Sequence, residues 1–453
     1  MEKKGQYRRL LRALFCAALL LIYAFLFWHV WNTYYSPRME RQFYERGHWL
    51  FLGVYLFGIF SLVHVYGGWK VGYLRVFNVI YSQALATILV NAITYIAIVL
   101  LTKFIESVVP LLLMTAVQIL ITIPWAVLCN HAYITAYPPR KVLMIYGDRP
   151  AMSLIRKISY RTDRFTVAGK IPLHRGLDTI KRQILKYEGV IICDIESHDR
   201  NEILKYCYAK DIRVYVSPKI SDIIIRSCES QHMFDTPMLM SRNSGPTIEQ
   251  RAAKRLFDII GSLLLILIFS PFMLITAAAI KLEDHGPVIY KQERLTANRK
   301  HFYVYKFRSM RVDAEQDGKA RLAAEHDCRI TKVGHVIRAI RFDELPQFFN
   351  ILKGDMSLVG PRPERPEIAA EYEKKIPEFA FRLKVKAGLT GYAQVYGKYN
   401  TTAYDKLKLD LMYIQNYNMA LDLEILLKTV QIMFMKESTE GMEDGQEIAL
   451  GGD

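Results

Sequence analysis

The chain has 453 residues, enough for two to four domains. Hydrophobic residues make up 51% of the chain and charged residues 23%, a mixture that fits membrane segments joined to soluble domains rather than one soluble domain. The net charge of +16 favours anionic partners, namely phospholipid headgroups, nucleotides or nucleic acid.

Four apolar runs occupy the first part of the chain, at residues 10–31, 49–66, 76–101 and 108–129. Each approaches the roughly 20 residues that a helix needs to span a bilayer. The first run is too long for a signal peptide and has no small-residue cleavage site after it. Basic residues before the first run and after the fourth predict that both ends lie in the cytoplasm. We therefore predict a four-helix transmembrane bundle over residues 1–138, serving as an anchor or as a dimerisation unit of a homodimer.

The pattern changes to short alternating strands and helices over residues 139–240. Apolar strand patterns begin at Lys141, Phe165, Gly189 and Ile212, and helical patterns cover residues 150–160, 177–187 and 198–210. Such alternation predicts a Rossmann-like domain with a parallel sheet. The first strand–helix turn reads GDRPAMS and lacks the G-x-G-x-x-G fingerprint. Two interpretations remain, a nucleotide-sensing module or a degenerate scaffold, and a linker follows at residues 241–250.

A charge-free run at residues 259–280 has Ser270 and Pro271 near its midpoint. One interpretation is a fifth membrane span. However, a proline removes a helix hydrogen bond, and basic residues flank the run on both sides. A full span would also carry everything after it away from a cytoplasmic nucleotide supply. We therefore predict a re-entrant helix hairpin that breaks at Ser270–Pro271, with the freed backbone groups satisfied by Ser270 or by protein neighbours.

Adjacent carboxylates stand at Asp343 and Glu344. They follow Arg338 and Arg341 and precede an apolar stretch at residues 345–349. Two acids, flanking guanidinium groups and an apolar surface indicate phosphate chemistry at a lipid boundary. The alternative is an acidic pair on a solvated helix.

Five ordered blocks lie between residues 250 and 435: KRLFDIIGSLLLILIFSP, YKFRSM, DELPQFFNILKGDMSLVGPRPE, AGLTGYAQVYG and LDLMYIQNYNMALDLEILLKT. They resemble the bacterial sugar transferase family, the monotopic phosphoglycosyl transferases that start surface-polysaccharide assembly on undecaprenyl phosphate. The layout before residue 250 is similar to the large members of that family. The resemblance implies a mostly helical catalytic domain over residues 251–436 with a re-entrant helix, a divalent metal, and a covalent phosphosugar intermediate on the first acid of the dyad.

The two acids are predicted to have unequal roles, the first from the resemblance and the second from the preference of Mg²⁺ for carboxylates. Asp343 would be the nucleophile that takes sugar 1-phosphate from a UDP-sugar, and Glu344 would hold Mg²⁺. On one helix, neighbouring side chains diverge by about 100°, which would let one acid face phosphorus and the other face the metal. Further predicted substrate-binding residues are Lys306, Arg308, Arg338, Arg341, Arg362 and Asp422.

Several of these roles stay open from sequence. Arg338 and Arg341 are three residues apart and would share a helix face, where headgroup binding is the alternative, most of all for Arg338. For Asp422, a second metal ligand, a base-binding acid and a structural cap are all open. Lys254, Arg255 and Asp258 would contact phosphate headgroups or form structural pairs. The apolar residues Leu345, Phe348, Phe349 and Leu352 would form core or lie against acyl chains.

The predicted function is transfer of sugar 1-phosphate from a UDP-sugar to undecaprenyl phosphate, starting exopolysaccharide, capsule or O-antigen synthesis. The catalytic domain would lie on the cytoplasmic face of the bacterial inner membrane. The alternative is a non-catalytic, nucleotide-sensing membrane scaffold. No aromatic-basic reading surface accompanies the charge, so no nucleic-acid partner is predicted. The six cysteines form no CxxC pair, which indicates reduced thiols, and residues 437–453 predict a disordered acidic tail.

Overall fold

The computed structural model describes residues 3–39, 43, 45–147, 165–241, 245–311, 329–397 and 401–433. The chain forms two compact units, Met1–Ser217 and Pro218–Asp453. The division falls before the linker predicted at residues 241–250, because Ile220 and Ile223 belong to the apolar core of the second unit. The helix predicted at residues 150–160 and the tail at 437–453 lie outside the described residues.

Four long apolar helices open the first unit. They are α1 (Lys3–Val30), α2 (Glu45–Tyr66), α3 (Val76–Thr102) and α4 (Val109–Ala136). Buried polar side chains join them: Tyr55 donates to Asn91 Oδ1 at 3.1 Å, and Asn91 donates to Gln118 Oε1 at 2.9 Å. Hydrogen bonds of this kind fix the register of helices that have little hydrophobic driving force between them in lipid. All four are long and apolar enough to cross a membrane, and the complete bundle across a bilayer stays a prediction.

The rest of the first unit carries the predicted parallel sheet. Its elements are β1 (Arg140–Tyr146), β2 (Phe165–Pro172), α5 (Leu177–Ile184), β3 (Gly189–Cys193), α6 (Ser197–Ala209) and β4 (Arg213–Val216). The strands pair in the order β2-β1-β3-β4, and every pairing is parallel. All five residues of β3 are buried, as expected for a strand covered on both faces. In the first strand–helix turn, GDRPAMS, every residue after Gly147 lies outside the described residues.

The second unit is mostly helical, as predicted. Its helices are α7 (Ile220–Arg226), α8 (Ile248–Asp284), α9 (Lys332–Ala339), α10 (Gln347–Lys353), α11 (Pro366–Lys375), α12 (Tyr392–Tyr396), α13 (Ala403–Gln415) and α14 (Met419–Met433). Its strands are β5 (Glu229–Met233), β6 (Thr236–Met240), β7 (Ile289–Leu295), β8 (His301–Phe307), β9 (Ser357–Val359) and β10 (Gly388–Thr390). They form three two-stranded pairs, β5 with β6, β7 with β8, and β9 with β10.

Helix α8 contains the predicted break site. It runs as one 37-residue helical element with Pro271 inside it. Pro271 has no amide proton for the carbonyl of Leu267, and Ser270 Oγ donates to that carbonyl at 3.0 Å, as the sequence predicted. The helical assignment continues through Pro271, so the re-entrant hairpin is not confirmed and stays a prediction.

Both ends of α8 are tied to the same folded unit. Near its start, Asp258 accepts hydrogen bonds from the backbone of Leu358 at 2.9 Å and from Ser357 at 3.0 Å. Near its end, Asp284 pairs with Arg308 on the rim of β8. The outward face between them is apolar, and Leu267 and Leu274 are 73% and 72% exposed. Helix α8 therefore presents an apolar surface while both of its ends stay with the second unit.

Candidate active site

The dyad of Asp343 and Glu344 lies in a short turn between two helices. Helix α9 ends at Ala339, Arg341 takes a left-handed backbone conformation at φ 57°, and Phe342–Glu344 form one turn of 3₁₀-helix before α10. The two acids are therefore not on a regular α-helix. Consecutive side chains of a 3₁₀-helix diverge by about 120°, so they can still face different partners. The shared helix face predicted for Arg338 and Arg341 is wrong, because Arg341 lies beyond the end of α9.

Helix α8 holds both helices that flank this turn. Its Glu283 carboxylate accepts a hydrogen bond from the backbone of Lys332, at the start of α9, at 2.8 Å. Its Arg255 donates to the carbonyl oxygens of Ile351 and Leu352, in the last turn of α10, at 2.5 and 2.6 Å. Helix termini leave such backbone groups unsatisfied unless a side chain caps them. The position of the dyad is thus set by caps from one apolar helix.

The middle of α8 also touches the dyad turn. Phe269 and Phe272 each meet the ring of Phe342 edge to face, with ring centres 6.1 and 5.9 Å apart. These two residues flank Ser270 and Pro271, and Phe342 directly precedes Asp343. Asp343 therefore directly follows, in the chain, a residue that contacts α8.

Glu344 is the centre of a charge cluster. Its Oε1 accepts from Arg362 Nη2 at 3.0 Å and from Lys306 Nζ at 3.3 Å. Lys306 stands on β8 and Arg362 lies in the loop after β9, so three separate segments converge on one carboxylate. These three predicted residues are brought together by the fold. Cations that bind a carboxylate in this way can also bind phosphate oxygens.

The pKa values of Asp343 and Glu344 shift in opposite directions. Burial alone would raise the pKa of Glu344, but Arg362 and then Lys306 outweigh it and hold the pKa below its ordinary value. Burial, followed by the neighbouring Glu344 charge, raises the pKa of Asp343, against the pull of Lys306, Arg338 and Arg362. Adjacent carboxyls whose pKa values move apart are typical of functional sites.

Two predicted substrate-binding residues have partners within the protein. Arg308 is buried, donates from Nε to the carbonyl of Pro287 at 2.7 Å, and binds Asp284 through both terminal nitrogens. Asp422 is fully buried, and Lys254 Nζ lies 2.6 Å from its Oδ2. Tyr413 donates to the other Asp422 oxygen at 2.7 Å. Of the roles left open for Asp422, its contacts favour a structural one.

The contacts of Lys254, Arg255 and Asp258 also favour structural pairing over headgroup binding, since each binds a group of its own unit. The apolar stripe divides. Leu345 and Phe348 are buried in the core, whereas Phe349 is 47% exposed. The core alternative therefore holds for Leu345 and Phe348, and contact of the stripe with acyl chains stays a prediction.

The loop that carries Arg362 is held by two arginines that sequence reasoning missed. Arg382 Nη2 donates to the backbone carbonyl of Arg362 at 2.9 Å, and Arg294 Nη1 donates to that of Pro363 at 3.0 Å. Arg382 is itself buried and pairs with Asp410 at 2.8 Å. A cation within the apolar stretch FAFRLKV is a signal for such a buried pair, because an unpaired charge would not be tolerated there.

A small cleft lies beside the cluster. Its lining comprises Arg294, Val304, Lys306, Glu344, Gln347, Arg362, Pro363, Gly388 and Leu389. Three of these residues are cations and one is the carboxylate of the dyad. The charges that line the cleft therefore favour an anionic group.

The dyad also fits the predicted metal. Within the described ranges no three His, Cys, Asp or Glu side chains cluster as a metal site. Mg²⁺ needs fewer protein ligands, since it takes one or two carboxylates and completes its shell with phosphate oxygens and water. The contacts of Glu344 with Arg362 and Lys306 both fall on Oε1. The other carboxylate oxygen, Oε2, is the candidate protein ligand.

Comparison with known proteins gives a consistent result. The family model for bacterial sugar transferases matches residues 249–436. A relative from Aeromonas hydrophila, a UDP-N-acetylgalactosamine-undecaprenyl-phosphate N-acetylgalactosaminephosphotransferase, is 38% identical over 264 residues, 57% of this chain and 61% of the relative. A UDP-glucose:undecaprenyl-phosphate glucose-1-phosphate transferase from Klebsiella pneumoniae is 43% identical over 190 residues, 41% of each chain.

A shorter relative is matched over most of its length. The exopolysaccharide production protein PSS from Rhizobium leguminosarum bv. phaseoli is 40% identical over 185 residues, 39% of this chain and 92% of the relative. For the two longer relatives, the match spans only about two fifths to three fifths of their length. The shared part of the molecule includes the dyad, Lys306 and Arg362.

Proposed function

Because the chain belongs to the bacterial sugar transferase family, we propose that it transfers sugar 1-phosphate from a UDP-sugar to undecaprenyl phosphate. The observation that carries the proposal is the pairing of Glu344 with Lys306 and Arg362 beside Asp343. This cluster offers a nucleophile and phosphate-binding cations in one place. Relatives named for transfer of N-acetylgalactosamine phosphate and of glucose 1-phosphate support the reaction class, and the sugar is not specified by them.

The first step forms a covalent intermediate. A carboxylate oxygen of Asp343 attacks the phosphorus that bears the sugar, and the bond from that phosphorus to the bridging oxygen of the diphosphate breaks. UMP leaves with the electron pair of the broken bond, and Asp343 holds the sugar phosphate as an acyl phosphate. This route avoids a direct attack of one phosphate anion on another. Arg362 and Lys306 would hold the phosphate oxygens in line with the attacking acid.

The second step uses the lipid. An oxygen of undecaprenyl phosphate attacks the same phosphorus, the acyl phosphate bond breaks, and Asp343 is released as a carboxylate. The product is undecaprenyl diphosphate sugar. Glu344 would hold Mg²⁺, which when bound neutralises phosphate charge. Glu344 suits this role because Arg362 and Lys306 keep its pKa low and the group ionised.

We also propose that α8 enters the membrane without crossing it. A 37-residue helix is about 55 Å long, more than the roughly 30 Å of a bilayer core. A crossing helix would place its ends on opposite sides, yet Asp258 and Asp284 both bind the second unit. The apolar outward face, with Leu267 and Leu274 exposed, suits lipid contact. The dyad would then lie at the cytoplasmic surface of the inner membrane, where the lipid phosphate lies.

Release of UMP from a panel of UDP-sugars by the purified full-length protein, without lipid, tests the enzyme proposal. We expect a burst of about one UMP per chain with one sugar, since the acyl enzyme accumulates when no acceptor is present. Asp343→Asn should abolish the burst, and Glu373→Gln, which alters a surface ion pair with Arg299, should leave it intact. Normal release by Asp343→Asn would exclude the covalent route.

Thiol labelling tests the membrane proposal. Single cysteines placed at Arg251 and at Lys281, in full-length protein whose six native cysteines are serine, would flank α8. Both should react with an impermeant reagent in inverted vesicles and neither in intact spheroplasts. Labelling of the two positions from opposite faces would mean that α8 crosses.

A further inference from the structure

Gln347 is a buried amide that faces the candidate active site. It opens α10, one helical turn after Asp343, and only 4% of its surface is exposed. It lines the cleft together with Lys306, Glu344 and Arg362. The small surface that it retains is therefore next to the phosphate-binding groups.

The amide of Gln347 has no hydrogen-bond partner among the residues that the structure describes. Its neighbour on the same helix behaves differently. Asn350 is fully buried, accepts from the backbone of Tyr305 at 2.9 Å and donates to the carbonyl of Tyr303 at 2.7 Å. The amide of Gln347 is not among the fully buried polar groups that lack a partner in the described fold, so it keeps access to the cleft that it lines. Asn350 therefore serves the fold, whereas the amide of Gln347 is accessible to a ligand in the cleft.

We infer that Gln347 contacts the substrate, donating a hydrogen bond from Nε2 to a non-bridging oxygen of the phosphoryl group that Asp343 attacks. The inference rests on the proposed function. The cleft is lined by three cations, Lys306, Arg362 and Arg294, and by one anion, Glu344. We therefore expect its ligand to be anionic. A phosphoryl oxygen is an acceptor that suits the amide donor.

A neutral donor has a distinct use at this position. In phosphoryl transfer, negative charge is spread over the non-bridging oxygens in the transition state. A fixed donor aimed at one of them stabilises that charge without reorganisation. The amide also adds no charge that would compete for Glu344, whose Oε1 already binds two cations. Gln347 would thus complement the charged residues instead of duplicating them.

Rapid-quench measurement of UMP release at saturating UDP-sugar, with the full-length protein, tests the inference. Gln347→Met keeps the volume of the side chain and removes its donors, and should lower the burst rate about 100-fold, the usual effect of losing one such donor. Gln347→Glu should be slower still, because it adds a negative charge beside Glu344. The control is Lys353→Ala, at the exposed end of the same helix, which should match wild type.

The outcomes are separable. A wild-type burst that Gln347→Met reproduces within threefold overturns the inference and leaves the proposed function intact. A raised KM with an unchanged burst rate assigns the amide to the sugar or the base and overturns the phosphoryl contact. Absence of UMP release by wild type overturns the proposed function and this inference with it. Thermal unfolding of each variant shows whether a slow burst results from partial unfolding. If the Tm of Gln347→Met is low enough to account for the slower burst, the contact is overturned.

Discussion

Arg382 donates a hydrogen bond from Nη2 to the backbone carbonyl of Arg362, with 2.9 Å between the two atoms. The donor is a buried guanidinium, and the acceptor belongs to the residue whose own guanidinium binds Glu344. Arg382 also lies 2.8 Å from Asp410 and 3.4 Å from Glu364. The position of the exposed arginine therefore depends on a buried one.

Arg382→Lys should disturb the site through Arg362. A lysine keeps the charge but replaces the planar guanidinium with one ammonium group. That group cannot reach the Arg362 carbonyl, Asp410 and Glu364 at the same time. We expect kcat/KM for the UDP-sugar to fall by about 100-fold, since a displacement of about 1 Å can cost that much. Steady-state UMP release, measured well below the Tm of the variant, gives the value.

The matched control is Arg299→Lys, because Arg299 also pairs with a glutamate, Glu373, but is 61% exposed. It should leave kcat/KM unchanged. If Arg382→Lys lowered the Tm and left kcat/KM at the wild-type value, Arg382 would stabilise the fold without positioning Arg362.

The charge of Asp410 should make substrate binding depend on pH. Burial raises its pKa to about 6, against the opposing effect of Arg382, while Glu364 raises it further and Lys406 lowers it. Above about pH 6 the carboxylate is ionised and pairs with Arg382; below it the group is neutral and the pair weakens. We expect the KM for the UDP-sugar to rise as the pH falls through about 6.

Asp410→Asn provides the comparison, since it cannot ionise. Its KM should be high at every pH and should not change near pH 6, as KM titrations of the two proteins in parallel would show. A wild-type KM that stayed constant across this range would separate Asp410 from the binding of substrate.

The sequence identified residues that the fold brings together when their motifs were contiguous or strongly patterned. Asp343 and Glu344 were found as an acid pair beside arginines, and Arg362 stood out between two prolines. The parallel sheet was predictable because β3 is an unbroken apolar run flanked by helical patterns. These signals are local, so they do not depend on how distant segments meet.

The sequence did not show partners that lie far away in the chain. Arg308 pairs with Asp284, 24 residues before it, and Asp422 pairs with Lys254 across 168 residues. Each looked like a free charge in a family motif. The turn at Arg341 was missed because its left-handed backbone leaves no sequence signal in a residue other than glycine or asparagine.

The pair of Lys254 and Asp422 should stabilise the second unit. Asp422 is fully buried, and its only described cationic partner is Lys254. Removing one member leaves a buried charge, which costs about 3–5 kcal/mol, so Lys254→Met and Asp422→Asn should each lower the Tm in detergent. The double variant Lys254→Met, Asp422→Leu should recover part of the loss. A double variant as unstable as the two losses added together would mean that the pair is not coupled.

Glu344→Gln should weaken the dependence of activity on Mg²⁺. A carboxylate is a much better ligand for this hard cation than an amide, so the half-saturating Mg²⁺ concentration for UMP release should rise about 10-fold or more. Asp355→Asn, on the nearby loop where Asp355 pairs with Lys353, is the control and should titrate like wild type. If the Mg²⁺ titration of Glu344→Gln matched that of wild type, Glu344 would not be the metal ligand.

Phe342 should couple α8 to the lipid half of the reaction. Its ring meets Phe269 and Phe272 edge to face, and such pairs contribute about 0.5–1.5 kcal/mol each beyond their buried area. Phe342→Leu removes both contacts and frees the dyad turn from the apolar helix. Because Asp343 would then be less well placed at the lipid surface, transfer to undecaprenyl phosphate should fall about 10-fold or more, while the UMP burst changes little.

Two parallel measurements check this separation: UMP release without lipid, and formation of the lipid product from the preformed intermediate. Tyr372→Leu is the matched control, since Tyr372 meets Phe379 with ring centres 5.0 Å apart and has no aromatic contact with α8. It should leave the ratio of the two rates unchanged. A contact that places Asp343 against the membrane helix predicts a defect confined to the lipid step. Equal losses in both steps for Phe342→Leu would therefore show that Phe342 only stabilises the turn that carries the dyad.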